Sequence, residues 1–291
     1  MAVGRFAPSP TGPLHVGNLR TALVAWLFAR SAGSRFLVRM EDLDERVVQP
    51  EQYDRQLRDL EAIGLDWDGP VERQSSRRHL YDAAIDRLTA AGLTFPCWCS
   101  RKEVLEAASA PHGPPGAYPG TCRDGGEPRT GRPAALRLRC PEPGAVVGVD
   151  DRIHGRYEGV VDDVVLRRND GTPAYNLAVV VDDAEQGVEE VVRADDLLPS
   201  TPRQVHLATL LGLPVPAYAH VPLVVGPDGD RLAKRHGAVD LGDLAAAGVS
   251  PAAVRTLLAA SLGLVAPGEA VTTDHLLARF DPAALPRDPW T

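Results

Sequence analysis

Apolar and polar positions alternate along the chain in a way that marks out its first elements. Val3 to Ala7 is a short apolar run and reads as a strand. It leads into Pro8-Ser9-Pro10-Thr11-Gly12-Pro13, where three prolines remove backbone donors and fix φ, so a loop is expected. From about Val16, the residues Leu19, Ala22, Leu23, Trp26 and Leu27 recur at helical spacing, and the pattern ends near Gly33. Phe36 to Met40 predicts a second strand. Strand, helix, strand in so short a span is the opening unit of a parallel α/β sheet. Further helices are expected over 51–63 and 77–91.

The pattern changes after residue 93. Residues 94–135 hold three of the four cysteines and a Pro/Gly-dense stretch from Ala110 to Pro119. Residues 136–182 read as hairpin material, with Asn169-Asp170-Gly171 as a turn between strands over 164–167 and 174–181. This region is expected to be an insertion in the α/β fold. A helix over 201–211 and a strand over 221–225 resume the alternation. A loop at Gly226-Pro227-Asp228-Gly229-Asp230 then leads to Arg231-Leu232-Ala233-Lys234-Arg235. The remainder reads as helical, with Ser250-Pro251 as an N-cap and first-turn pair and another helix over 274–280.

Composition narrows the class. The 291 residues are 44% hydrophobic and 24% charged, which excludes disorder and collagen-like repeats. The apolar run Ala22 to Ala29 is far short of the roughly 18 residues that span a bilayer. No basic leader with a cleavage site is evident, and four cysteines do not make a disulfide scaffold. A cytoplasmic protein with no membrane partner is expected. The net charge of −8 argues against unspecific binding to nucleic acid, although a local basic groove is compatible with it. Lysine occurs only at Lys102 and Lys234, so a lysine retained in a loop attracts attention.

His15-Val16-Gly17-Asn18 sits where the Pro/Gly loop enters the first helix. Unsatisfied N–H groups and a positive dipole end favour phosphate there, Gly17 lets a ligand approach the backbone, and His15 can donate to a phosphate oxygen. A capped helix with an incidental histidine is the plainer alternative for these four residues alone. The whole run from Gly4 to Leu23 resembles the first signature of the glutamyl- and glutaminyl-tRNA synthetases, which are class I synthetases with a Rossmann-type catalytic domain. Asn18 departs from the last histidine of the common HIGH form. Arg231 to Arg235 resembles the second class I signature, KMSKS, with Lys234 kept as its second lysine and Arg231 in place of the first.

The resemblance implies an organisation and a reaction. Residues 1–93 and 183–235 are expected to form the two halves of the Rossmann-type catalytic fold. Residues 94–182 would be the acceptor-binding-like insertion with a zinc site, and 236–291 a short helical extension. ATP would be bound by His15, Gly17, Asn18 and Lys234, with Mg²⁺ accompanying it, and His15 and Lys234 would be the catalytic residues. Positioning and electrostatics suffice for attack of a carboxylate on the α-phosphorus of ATP. By position in the family, Arg5, Phe6, Ala7, Pro8 and Ser9 form the end of the strand that binds L-glutamate. Glu41 would take the α-ammonium, and Tyr175 and Arg193 the remaining contacts. Arginine–carboxylate pairing favours glutamate over glutamine.

Cys97-Trp98-Cys99 with Cys122 downstream has zinc-site character in a loop-rich segment. A redox pair and inert buried thiols are competing readings, and Cys140 reads as a core residue. On chemistry alone His112 would be the fourth ligand, whereas the resemblance points to Tyr118. One structural zinc per chain, on Cys97, Cys99, Tyr118 and Cys122, is the expectation. Only residues 236–291 follow the second signature. That pattern resembles the truncated paralogues of the family, which lack an anticodon reader and transfer activated glutamate to the queuosine base in the anticodon loop of tRNA(Asp). A minimal glutamyl-tRNA synthetase charging the 3′ end of tRNA(Glu) is the alternative. A monomer is expected.

Overall fold

The computed structural model describes residues 3–108, 117–226 and 239–291. The opening unit forms as the apolar pattern requires: β1 (Val3–Phe6), α1 (Val16–Ser31) and β2 (Phe36–Met40). Both strands lie inside the sheet, so β2 is buried along its whole length instead of alternating. Helix α1 is buried on nearly every side, from Leu19 through Ala29, because the sheet lies against one face and C-terminal helices against another. A Cβ on Gly4 would lie 3.1 Å from the Ala29 Cβ, so a glycine lets α1 seat closely on β1.

The main sheet also contains β3 (Glu72–Arg73), β6 (Val146–Asp151), β7 (Gly155–Val160), β9 (Val188–Ala194) and β10 (Ala217–Val221). Its order is β3-β2-β1-β9-β10-β6-β7, parallel throughout except for the antiparallel edge strand β7. Strand order therefore reverses between β1 and β9. In an open parallel sheet a ligand crevice forms at such a reversal, beyond the carboxyl ends of the two strands.

Helices α2 (Glu51–Ala62) and α3 (Arg78–Ala90) follow β2 as expected. The segment between 94 and 167 supplies a separate three-stranded antiparallel sheet, β4 (Thr94–Cys97), β5 (Ala135–Leu138) and β8 (Val165–Arg167), with α4 (Arg101–Ala108) after β4. The hairpin β6–β7 comes from the same stretch of sequence yet completes the edge of the main sheet.

Two expected elements differ. The turn at 169–171 forms, with Gly171 at φ 85° and Arg168 N–H donating to Thr172 O at 2.8 Å. Its second arm does not continue as a strand: α5 (Tyr175–Glu185) begins there. Leu177 to Val181 is an unbroken apolar run buried on all sides, and such a run fits a buried helix as well as a buried strand. The strand expected over 221–225 lies earlier, at β10. Pro222 has no N–H to continue the ladder, and its carbonyl instead accepts from Arg20 Nη1 at 2.7 Å.

After β9 a 3₁₀ segment (Asp195–Ser200) leads into α6 (Thr201–Leu210). The C-terminal helices are α7 (Leu241–Ala246), α8 (Pro251–Ser261) and α9 (Thr273–Arg279). Ser250 caps α8 by accepting from Ala253 N–H at 3.2 Å. Val254, Leu258 and Leu276 join the core around α1, and Phe280 meets Phe28 edge to face at 5.3 Å. Among the described residues no helix is long and apolar enough to cross a membrane.

One buried carboxylate ties the layers together. Asp182 on α5 has no exposed surface, and it accepts from Gln74 Nε2 at 2.8 Å, Tyr81 OH at 2.8 Å and Arg77 Nε at 2.7 Å, with Arg39 Nε 3.6 Å away. Removing it strands three donors and an arginine in a dry place. Asp182→Ala is expected to cost about 3–5 kcal/mol in denaturant unfolding; a loss below about 1 kcal/mol would contradict this account of the network.

Candidate active site

Prolines give the loop after β1 carbonyls without donors, so its order depends on donors from elsewhere. Gln56 on α2 donates to Ser9 O at 3.0 Å and Gly12 O at 2.7 Å, while Glu41 N–H and Gln49 N–H reach Pro8 O and Pro10 O. The loop delivers His15 to the N-cap of α1. His15 Nδ1 accepts from Asn18 N–H at 3.3 Å, and Asn18 Oδ1 accepts from His15 N–H at 3.2 Å, a reciprocal capping box. With Nδ1 accepting, the proton of a neutral ring sits on Nε2. A Cβ on Gly17 would lie 3.0–3.1 Å from the His15 ring, so the glycine gives the imidazole its place.

At the end of β1, Arg5 is buried and binds Asp183 through Nε at 3.2 Å and Nη2 at 3.1 Å. Arg39, next to last in β2, donates to the same carboxylate at 2.8 Å and to Glu41 at 3.2 Å. Burial tends to raise Asp183, but Arg5 and Arg39 more than offset it and bring its carboxyl to about 2. Glu41 ends on the other side of the balance. Its burial outweighs the pull of Arg39 and Arg5, so its carboxyl is raised and an incoming cation would stabilise its charged form.

Arg193 ends β9 across the strand reversal. Its Nε donates to His220 Nε2 at 3.0 Å and Nη2 to Thr201 Oγ1 at 2.9 Å, while Nη1 lies 3.5 Å from Tyr175 OH. Tyr175 is 41% exposed, at the rim.

These groups line one cavity of about 470 Å³. It brings together Arg5, Phe6, Ala7, Pro8, Ser9, His15, Asn18, Glu41, Tyr175 and Arg193 from the sequence reading. Gly17 stands behind His15 and is not part of the wall. Lys234 and the rest of its pentapeptide lie outside the described residues. A second cavity of about 1000 Å³ shares Ser9, Glu41 and Tyr175 with the first and extends past Trp98, Arg132 and Arg168.

Sequence reasoning passed over Arg39, Asp183 and His220. Each is a charged or titratable residue inside a buried apolar run, and that misfit was the available signal.

The cysteine cluster borders the larger cavity. The sulfurs of Cys97, Cys99 and Cys122 lie within 4.8 Å of one another. Tyr118 OH is 3.3 Å from Cys97 Sγ and 3.9 Å from Cys99 Sγ, and the Arg137 guanidinium sits 3.7 Å from the centroid of its ring. Three thiols and a phenol converging on one point are a donor set suited to a tetrahedral zinc ion. His112 lies outside the described residues. Cys140 is buried in the core, apart from the cluster.

The family profile for tRNA synthetases class I (E and Q), catalytic domain, matches residues 1–284. The glutamyl-Q tRNA(Asp) synthetase of Nocardia farcinica is 65% identical over 293 residues, covering 99% of this chain and 92% of that protein. The protein of the same name from Symbiobacterium thermophilum is 48% identical, covering 99% and 95%. Among solved structures, a glutamate tRNA ligase from Elizabethkingia meningosepticum in complex with its amino acid superposes with a TM-score of 0.82 at 27% identity. That match covers 98% of this chain and 65% of the ligase. The order of the parallel strands, the crevice at their reversal and these matches agree: the chain belongs to the class I tRNA synthetases for glutamate and glutamine.

Proposed function

We propose that this protein activates L-glutamate with ATP and transfers the glutamyl group to the queuosine base in the anticodon loop of tRNA(Asp). The observation that carries this reading is the cavity at the strand reversal, where Arg5, Arg193 and Glu41 face the capped N-terminus of α1. Two arginines suit the two carboxylates of glutamate, and the raised carboxyl of Glu41 suits its ammonium. The identity of 65% to a glutamyl-Q tRNA(Asp) synthetase, against 27% to a glutamate tRNA ligase, supports queuosine over the 3′ end of tRNA(Glu) as acceptor.

In the first step a carboxylate oxygen of glutamate attacks the α-phosphorus of ATP, and pyrophosphate leaves with the electrons of the broken P–O bond. The protein moves no proton here. Its part is to hold the reactants in line and to meet developing charge with the positive end of α1, the Nε2–H of His15 and Lys234. Mg²⁺ bound to the phosphates of ATP would supply further positive charge there. In the second step a hydroxyl of the queuosine base attacks the acyl carbon, and AMP departs. The larger cavity offers an indole and several guanidiniums for an unstacked nucleoside, the surfaces that RNA bases favour.

The insertion serves the second step. Cys97, Cys99, Tyr118 and Cys122 would hold a zinc ion that supplies structure, all four positions being filled by protein. Cys97 ends β4 and lines the larger cavity together with Cys99, so these residues would tie that wall to Tyr118 and Cys122 when a metal is bound.

Two outcomes follow. After incubation with labelled glutamate and ATP, nuclease digestion of tRNA(Asp) should leave the label on the anticodon fragment; label on the 3′-terminal adenosine would assign the reaction to tRNA charging instead. Metal analysis should find one zinc per chain, and Cys97→Ser should lose most of it together with several degrees of Tm. A metal-free protein of unchanged stability would remove the site.

A further inference from the structure

Behind Arg193 runs a buried line of hydrogen bonds that the proposed steps do not use. Arg193 and His220 are register partners on β9 and β10, and they are 5% and 0% exposed. Arg193 Nε donates to His220 Nε2 at 3.0 Å. On the far side of the ring, His220 Nδ1 meets Asp151 Oδ2 at 2.6 Å. Asp151, at the end of β6, also accepts from the backbone N–H groups of Ile153 at 3.0 Å, His154 at 2.9 Å and His220 itself. Burial works against its charge, but His220 and these N–H groups outweigh burial and hold its carboxyl below the usual range. A charged carboxylate can only accept, so the imidazole proton lies on Nδ1 and Nε2 keeps its lone pair for Arg193.

The contrast with Arg5 gives the arrangement its meaning. A carboxylate grips Arg5 directly and cancels much of its charge. A neutral imidazole fixes Arg193, with Thr201 taking a second N–H, and keeps the Asp151 carboxylate one ring away from the guanidinium. The guanidinium is oriented and its charge stays directed into the cavity.

We propose that His220, held in one tautomer by Asp151, is a positioning residue that aims Arg193 at a substrate carboxylate without neutralising it. The inference rests on the reading of this cavity as the glutamate site.

Protonation would undo the device, because an N–H on Nε2 would face the Arg193 guanidinium. The groups around the ring are Asp151 from β6, Arg193 from β9, Thr201 at the start of α6, and the Tyr218 ring stacked at 6.0 Å and 13°. His154, 3.7 Å from Asp195, is the other nearby imidazole. Burial first, and then Arg193, lower the pKa of His220 against the pull of Asp151. A lowered folded pKa keeps the ring neutral through physiological pH, and the contact is lost as pH falls through that value. The KM for glutamate should therefore rise in the acid range, where the KM for ATP does not.

The test is glutamate-dependent ATP–pyrophosphate exchange across pH with His220→Ala and His220→Gln, whose amide can both donate to Asp151 and accept from Arg193. His220→Ala is expected to raise the KM for glutamate by about ten- to a hundredfold, with a smaller change in kcat and an unchanged KM for ATP. His220→Gln should recover most of that loss and remove the His220 part of the acid rise, leaving the part that protonation of Glu41 causes. A folded His220→Ala protein with an unaltered glutamate KM overturns the proposal, and so does a folded His220→Gln protein whose glutamate KM rises by more than about tenfold over the unaltered protein; the latter decides the matter if the alanine variant fails to fold. The ¹⁵N NMR spectrum of the imidazole reads the tautomer independently of turnover, and an Nε2-protonated ring overturns the positioning role whatever the substrate. Absence of glutamate-dependent exchange in the unaltered protein overturns the glutamate reading itself.

Discussion

Arg5 and Arg39 share one carboxylate, Asp183, in a place that water does not reach. A site for a doubly charged amino acid needs charges that solvent does not screen, yet an unpaired buried charge costs several kcal/mol. The floor of the crevice meets both demands by pairing. Asp183 satisfies two arginines, Asp182 takes Arg77 along with neutral donors from Gln74 and Tyr81, and Glu41 stays under-compensated where a substrate ammonium can complete it. Because both aspartates stand side by side on α5, the geometry of the proposed glutamate pocket depends on where that helix starts. The Asn169–Gly171 turn and Pro173 set that point.

The end of the cavity proposed to take the phosphates is built from local structure. Proline carbonyls that need donors from elsewhere, a reciprocal His15–Asn18 cap and a glycine under the imidazole place the positive end of α1 at the cavity. The chain returns to the same helix end twice. Val239 O accepts from Val16 N–H at 3.0 Å, and Asp240 pairs with His15 across an isolated bridge. Val224 lies beside Gly17 and pairs with Trp290 near the C-terminus. The segments on either side of 227–238 are thus anchored at the α1 N-terminus, and the C-terminal helices pack against the same α1 core.

What the sequence made legible follows the range of the interactions. The βαβ opening, the capped helix and the strand-end residues are written in contiguous motifs, and Arg5, His15, Glu41, Tyr175 and Arg193 do converge on one cavity. The partners that hold them are far away in sequence: Asp183 is 178 positions from Arg5, and His220 is 27 from Arg193. No local pattern announces such pairs, apart from the oddity of a charge inside an apolar run. The misread arm at 174–181 has a different cause, since full burial erases the periodicity that separates helix from strand. The cysteine cluster lies between these cases: the Cys-x-Cys spacing was visible, whereas the approach of Tyr118 depends on tertiary packing.

The two candidate acceptors, the modified base and the 3′ end, are told apart by one comparison. Purified protein, ATP and labelled glutamate would be incubated with tRNA(Asp) from cells that make queuosine and from cells that do not. Incorporation is expected with the queuosine-containing tRNA alone. Equal incorporation into both preparations would contradict it and move the acceptor from the modified base to the 3′ end.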